Sequence, residues 1–111
     1  MATPTPIGEL EQLVLLAILR LGPAAYGLSI ARELERGAER RLSRGALYTT
    51  LDRMETKGLL RWKPEAGGGE RRGLPRRCYV VSARGVAALR ASHRVLHRMW
   101  QGLDDVLREQ S

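Results

Sequence analysis

The residues best suited to chemistry lie in one short stretch of the chain, from Ser43 to Gly58. Ser43 is a side-chain acceptor of the kind that caps a helix, and Lys57 followed by Gly58 is typical of a helix end. One face of this predicted helix carries a mixture of cations, hydroxyls and one aromatic ring, namely Arg44, Tyr48, Thr49, Asp52 and Arg53. Arginine can bond a guanine edge bidentately, hydroxyls can bond bases or phosphate, and the helix start at Ser43 offers a phosphate its free amides. This face therefore has the chemistry for a DNA major groove.

The opposite face of the same helix is apolar. Leu47, Leu51 and Met54, with Ala46 and Thr50 beside them, recur at three and four residues and are expected to face a core. Taken alone, the polar face is better explained as the solvated side of a helix that only packs. The rest of the chain decides between these two interpretations.

Charge is concentrated in one part of the chain. The formal net charge is +7, and the segment from Lys57 to Arg84 holds eight Lys or Arg and only two Glu. Nearly all of the excess positive charge thus lies in about a quarter of the sequence. A polyanion such as double-stranded DNA is the partner that this distribution favours.

Other functions lack the residues that they need. Cys78 is the single cysteine, so no internal disulfide can form, and no acid, base and nucleophile occur in a recognised catalytic motif. His93 and His97 lie four residues apart and could bind a metal if Glu109 or a second subunit helped, but packing and solvation explain them better. We expect no enzyme activity, no cofactor and no metal site.

No targeting or membrane segment is evident. The first residues lack a basic region followed by an apolar run, and no apolar stretch approaches the ~20 residues of a membrane span. We therefore expect a cytoplasmic protein with no membrane partner.

Two predicted helices precede the polar one. Residues 1–6 alternate Thr and Pro and suggest a flexible arm, after which an apolar stripe of helical spacing runs to Leu21 and is stopped by Gly22-Pro23. The stripe consists of Leu10, Leu13, Val14, Ala17, Ile18 and Leu21. The second helix is expected from Tyr26 to Gly37, with Leu28, Ile30, Ala31 and Leu34 directed inward. Tyr26 either packs at the start of this helix or places its hydroxyl on a phosphate.

A change of period after Gly58 predicts a β-hairpin. Residues 59–64 and 77–82 read as strands, and the segment between them is too rich in glycine to be anything but a loop. Its glycines do not match either phosphate-loop spacing. Arg71 and Arg72 lie in this loop, and Arg76 and Arg77 follow it, with side chains long enough to reach a phosphate backbone or a minor groove.

The last segment predicts one long helix, from the cap at Ser82 to about Arg108. Its apolar and His residues recur at alternating steps of three and four, as Val86, Leu89, His93, Leu96, Trp100, Leu103 and Leu107. Such a helix, about 37 Å long, exceeds what a small domain can cover, so the seam from Leu89 to Leu107 is expected to hold a homodimer. Packing of the whole helix within one subunit is the alternative.

With this order of elements, the chain resembles the PadR family of bacterial transcriptional regulators. The resemblance extends from Ile7 to Leu107, and its most specific residues are Ala46-Leu47-Tyr48 through Leu51, Arg53-Met54-Glu55, Lys57-Gly58-Leu59-Leu60, Pro75 through Gly85, and Ala25-Tyr26-Gly27. The expected fold is mainly α (α+β): a winged helix-turn-helix with a two-stranded wing. Residues 7–82 would form the DNA-binding domain and residues 83–111 a C-terminal dimerisation helix, as in the short members of the family.

The resemblance implies a homodimeric repressor whose third helix enters the major groove. By that analogy Arg44, Tyr48, Thr49 and Arg53 contact DNA, Tyr26 and Lys57 hold phosphates, and Arg71 and Arg72 act from the wing. Some family members release DNA on binding a phenolic acid or another flat aromatic effector, and Trp100 occupies a suitable seam position for such a ligand. The alternative function is a winged-helix module that binds protein, RNA or nonspecific DNA without regulating transcription.

Overall fold

The secondary structure follows the predicted order. The computed structural model describes residues 3–65 and 76–108, and in these ranges five helices accompany one two-stranded antiparallel sheet. The elements are α1 (Glu9–Leu21), α2 (Gly27–Ala38), α3 (Arg44–Thr56), β1 (Leu60–Glu65), β2 (Arg76–Val81), α4 (Ala83–Trp100) and α5 (Asp104–Leu107), with a 3-10 turn at Gly22–Ala24. This arrangement confirms the winged helix-turn-helix fold.

The core is formed around α1. One face of this helix is buried against residues of α2, α3 and the sheet. Its buried residues are Val14, Leu15, Ala17 and Ile18. On α2 the buried residues include Ile30 and Leu34, but Leu28 is 60% exposed, so its expected inward position was wrong. The reason is geometric, because two residues along a helix correspond to a rotation of about 200° from Ile30.

Helix α3 has the predicted ends and the predicted core face. The Ser43 hydroxyl accepts a hydrogen bond from the Ala46 amide at 3.0 Å, and Gly58 ends the segment with a φ of 78°. The side chains of Leu47, Thr50, Leu51 and Met54 are buried. Ala46 is exposed, contrary to expectation, because it lies about 100° around the helix from Leu47.

The hairpin packs one end of its sheet into the core. Strands β1 and β2 pair from Leu60↔Val81 to Glu65↔Arg76, and the Tyr79 amide donates to the Ala25 carbonyl at 2.9 Å. Leu60 and Tyr79 are buried, which attaches the wing to the helical part of the domain. The loop that contains Arg71 and Arg72 lies outside the described residues.

Helix α4 begins at a tight junction with the end of α3. The Ser82 hydroxyl accepts from the Gly85 amide at 3.1 Å and donates to the Gly58 carbonyl at 2.5 Å. A Cβ atom on Gly85 would lie 2.2 Å from the Leu59 carbonyl oxygen. The first turn of α4 is therefore held directly against the backbone that precedes the wing.

The C-terminal segment is not one continuous helix. Helix α4 ends at Trp100, and Gly102 adopts a φ of 83° before the short helix α5 begins at Asp104. The expectation of a single helix to Arg108 was wrong, because a left-handed glycine interrupts the α-helical backbone that the seam spacing had suggested. Leu103 and Leu107 consequently lie beyond α4, which is about 27 Å long.

The Gly85 junction leads to a stability prediction. Gly85→Ala should lower the free energy of unfolding by about 1–3 kcal/mol, since the new Cβ would collide with a backbone carbonyl that cannot move aside. Chemical denaturation followed by circular dichroism measures this change. Gly45→Ala is the matched control, because no atom lies within 4 Å of its Cβ position and alanine is favoured in a helix. Equal stability of the two variants would contradict the tight junction.

Candidate nucleic-acid interface

The outer face of α3 presents cationic and hydroxyl side chains to solvent. Arg44, Thr49 and Arg53 are exposed on it, while the opposite side of the helix is buried in the core. Neither Arg44 nor Arg53 forms an ion pair with any residue in 3–65 or 76–108. The structure thus leaves these three predicted residues exposed on α3, with their donors available to a ligand.

Tyr48 occupies a different environment from its neighbours on α3. Its ring is half-buried against the core, and its hydroxyl lies at the first turn of α2, directly beside Gly27. Tyr48 therefore links the two helices of the helix-turn-helix. The Ser43 hydroxyl accepts the capping hydrogen bond of α3, so Ser43 lies at the N-terminal end of the helix that carries Arg44, Thr49 and Arg53.

A polar clamp joins the wing to the outer edge of α3. The Trp62 indole donates to Glu55 at 3.2 Å, and Arg77 donates to Asp52 at 3.3 Å. The Arg77 guanidinium also lies 4.2 Å from the centre of the Trp62 ring, a cation–π distance. Sequence reasoning missed Glu55 and Trp62 as site residues, and it did not predict that Arg77 pairs with Asp52. The only signal was the presence of carboxylates on an otherwise cationic helix, because contacts between distant residues leave no spacing pattern.

A second cluster occupies the base of the hairpin next to α2. The Tyr26 hydroxyl donates to Glu65, and the Arg76 guanidinium carbon lies 3.8 Å from the centre of the Tyr26 ring. The hydrogen bond to Glu65 raises the pKa of Tyr26. Tyr26 is thus engaged by the wing in this structure, and a phosphate would have to share its hydroxyl with Glu65. Nearby, burial raises the pKa of Tyr79, and the Arg77 guanidinium close to its hydroxyl partly opposes that rise.

Lys57 is paired with a carboxylate of α1. Its ammonium group lies 2.7 Å from Glu11, whose side chain is only 13% exposed. Burial alone raises the pKa of Glu11, but the hydrogen bonds from Lys57 and from the Gly8 amide outweigh this effect, so the pKa lies below its ordinary value. Lys57 therefore connects α3 to α1, and the expected phosphate contact would require it to exchange or share this partner.

An apolar groove of about 660 Å³ lies between α1 and α4. Leu16 and Leu19 of α1 form one wall, and Leu89, Leu96 and Trp100 of α4 form the other. Four of these five side chains are between 42% and 52% exposed, while Leu89 is half-buried. Leu16 and Leu19 were missed by sequence reasoning because they fall outside the core stripe of α1, although their three-residue spacing is a detectable signal.

Basic side chains surround this groove. Arg90, Arg94, His93 and His97 line it, and the two imidazole rings are parallel with centres 6.2 Å apart.

No group of three or more His, Cys, Asp or Glu side chains is placed to hold a metal within the described ranges. In the same residues no helix combines the length and hydrophobicity that a membrane span requires. What the described surfaces offer is binding chemistry: exposed cations on α3 and an apolar groove beside α4.

Comparisons with known proteins agree with this geometry. A family model described as the transcriptional regulator PadR-like family matches residues 15–91. A PadR family transcription regulator from Clostridium difficile R20291 superposes with a TM-score of 0.72 at 22% identity, over 90% of this chain and 99% of that one. A PadR-like regulator from Bacillus cereus gives 0.69 at 21% identity, over 91% and 93% of the two chains.

A third structure, a PadR family regulator from Eggerthella lenta, has a TM-score of 0.63 and 26% identity over 89% of this chain and 84% of that one. No curated protein sequence gave a significant match. The family model covers well over half of the chain, and it includes α2, α3 and the wing. The chain therefore belongs to the PadR-like family, and it is a DNA-binding transcriptional regulator rather than an enzyme.

Proposed function

We propose that this regulator is a homodimeric repressor that binds an inverted-repeat operator. The observation that carries the proposal is the exposed face of α3, where Arg44, Thr49 and Arg53 are exposed and neither arginine has an ion-pair partner among the described residues. On a recognition helix these residue types can bond base edges and phosphates in a major groove. The wing clamp to Asp52 and Glu55 supports the same function, because it keeps the hairpin at a constant angle to α3.

Dimerisation is supported by the apolar groove. The exposed residues on its two walls form a contiguous apolar surface, and monomeric proteins rarely leave a large surface of this kind in water. The second copy is its natural occupant, since a helix such as α4 can bury its seam against the same seam in a partner. The interface proposed here uses Leu16, Leu19, Leu89, His93, Leu96 and Trp100. Leu103 and Leu107 remain proposed as peripheral contacts beyond the end of α4.

A two-fold dimer determines the form of the operator. Its two recognition helices would enter successive major grooves about 34 Å apart, which is one turn of DNA, so the site should be an inverted repeat. Positively charged residues of the wing would then lie over the flanking backbone. Arg71 and Arg72 are proposed for this role on the strength of their sequence position, and repression follows if the operator overlaps a promoter.

A small aromatic effector is the final part of the proposal. Trp100 borders a groove that also contains Arg90, Arg94 and His93, so a flat ring could stack on the indole while a carboxylate met the cations. Simple packing of Trp100 against a second copy is the alternative use of this side chain. An effector bound between two α4 helices would change the distance between the recognition helices and release the DNA.

The assignment of α3 residues to bases can be tested by substitution. Duplexes are first selected from a random library with the parent protein, and affinities are then measured for the selected and scrambled sequences. Arg44→Ala and Thr49→Ala should each cost ~1–3 kcal/mol on the selected duplex and much less on scrambled DNA, because a base contact is lost at one position. Failure of the parent to select any sequence would favour the nonspecific, RNA-binding or protein-binding alternative.

The comparison variant for this test is Arg71→Ala with Arg72→Ala. Phosphate contacts carry no sequence information, so this variant should bind both duplexes more weakly and to the same extent. The slope of log affinity against log salt concentration should become less steep by up to ~2. If Arg44→Ala behaves in the same way, Arg44 contacts phosphate and the assignment to bases is wrong.

The dimer can be tested by placing charge in the groove. Leu16→Asp with Leu96→Asp should produce a monomer at micromolar concentration, because two carboxylates would be buried in an apolar interface. Sedimentation velocity measures the change. Leu28→Asp is the matched control, since Leu28 is an exposed leucine of α2 that lies outside the groove. A parent that sediments as a monomer, or a double variant that stays dimeric, would rule out this interface.

The effector site can be tested by fluorescence, because Trp62 and Trp100 are the two tryptophans of the chain. Planar aromatic acids should release the selected duplex from the parent, and in a Trp62→Phe background they should quench the emission of Trp100 over the same concentration range. Quenching of Trp100 without release of the duplex would indicate that the compounds stack on the indole but do not act as effectors. The Trp100→Phe protein serves as the control, since its remaining tryptophan lies on the wing and should be unaffected by the same compounds.

A further inference from the structure

Gly27 opens α2, and its backbone conformation does not explain why it is a glycine. The glycines with positive φ in the described residues are Gly22, Gly58 and Gly102, and Gly27 is not among them. It lies instead in the first turn of a regular helix, where alanine is normally preferred to glycine. The reason for glycine at this position must therefore be the space around it.

That space is filled by the ring of Tyr48. A Cβ atom on Gly27 would lie 2.1 Å from the Tyr48 hydroxyl oxygen and 2.7 Å from the ring carbon that carries it. Both distances are far below van der Waals contact, so the phenol lies directly on the bare backbone of Gly27. The obstacle is the free end of a side chain, in contrast to Gly85, where it is a backbone carbonyl. A methyl group at position 27 would thus displace the ring and leave the fold intact.

The contact restricts one side chain of the proposed DNA-binding face. Tyr48 follows Arg44 by one helical turn and directly precedes Thr49, which are both exposed on α3. The lower part of its ring packs against the core, and Gly27 receives the outer end. The hydroxyl makes no hydrogen bond to any other group in residues 3–65 and 76–108, so it remains available to a ligand.

We infer that Gly27 is a positioning residue for DNA binding: its missing side chain lets Tyr48 lie across the first turn of α2, so that the tyrosine hydroxyl meets the duplex in a single orientation. This inference rests on the proposed function, because it assumes that the face of α3 binds DNA. Gly27 itself touches no nucleotide. Its effect is transmitted entirely through the ring of Tyr48, which makes the two residues one functional unit.

Four variants test this coupling: Gly27→Ala, Tyr48→Ala, the double variant, and Gly37→Ala as the matched control. Gly37 lies in the same helix, and its Cβ position is 3.5 Å from Glu33, an ordinary contact that displaces nothing. Each protein is melted by circular dichroism, and its affinity is measured for the duplex that the parent selects from a random library. Gly27→Ala should melt no lower than the parent, because alanine favours the helix and only a side-chain end has to move.

The expected binding results distinguish positioning from a general structural role. Gly27→Ala should bind the selected duplex at least about tenfold more weakly, the loss expected for one hydrogen bond to a charged acceptor. Tyr48→Ala should lose a similar factor, and the double variant should be no weaker than Tyr48→Ala, because residues that act as a unit are not additive. Gly37→Ala should stay within about twofold of the parent.

A measurement without DNA checks the contact itself. In the parent, the ring current of Tyr48 should shift the α-proton resonances of Gly27, and Tyr48→Ala should abolish that shift. Parent-like DNA affinity of Gly27→Ala, losses that multiply in the double variant, or an unshifted glycine resonance would each overturn the inference while leaving the proposed function intact. A parent that selects no duplex would overturn the proposed function and this role of Tyr48 together.

Discussion

The burial of one face of α3 is the constraint on which the rest of the structure depends. Leu47, Leu51 and Met54 are fully or almost fully buried, and truncation of a buried side chain of this size typically costs about 2–5 kcal/mol. Because protein interiors are close-packed, α3 has only one rotation about its axis that satisfies all three contacts. Arg44 and Arg53 are directed to solvent by that rotation. The chemistry of the outer face is therefore a consequence of the packing beneath it.

Carboxylates organise the cations around this face. Asp52 accepts a hydrogen bond from Arg77 of the wing, and Glu55 accepts one from Trp62. Glu11 accepts one from Lys57. The Asp52–Arg77 pair is well exposed, and exposed pairs contribute at most about 1 kcal/mol, so it adds little to stability. Its effect is directional, because it orients the base of the hairpin relative to α3. These pairs also neutralise part of the local positive charge, whereas Arg44 and Arg53 have no ion-pair partner among residues 3–65 and 76–108.

The two ends of α4 differ in how they are packed. Its first turn is fixed by the contact of Gly85 with the Leu59 carbonyl, and Ala88 is the last of its residues to be fully buried. Beyond that point α4 faces α1 across the apolar groove, which stays open. The domain thus completes its own core and leaves the outer half of α4 without cover. A helix that joined two DNA-binding units would need one end packed on its own domain and the other end free to contact the partner, as α4 has.

The sequence by itself determined the order of the elements, the hairpin, the caps at Ser43 and Ser82, and the polar face of α3. The caps and the polar face depend on residues within about one or two turns of each other, and the hairpin on a local change of period at each strand, so spacing and capping chemistry are sufficient to predict them. Helix α4 shows where such reasoning fails. A seam of seven positions predicted one helix to Arg108, whereas the single Gly102 interrupts it, because regular spacing takes no account of backbone conformation.

Only the tertiary structure decided which distant side chains meet. Trp62 with Glu55, Arg77 with Asp52, and Tyr48 with Gly27 are pairs whose contact depends on how whole elements are oriented. The same orientations left Leu16, Leu19 and Leu28 exposed although all three are apolar. Helical periodicity shows which residues share a face, but the angle and distance between packed elements follow from the fit of the entire core. That is why the polar face of α3 could be predicted from the sequence, whereas the contacts between that helix and its neighbours could not.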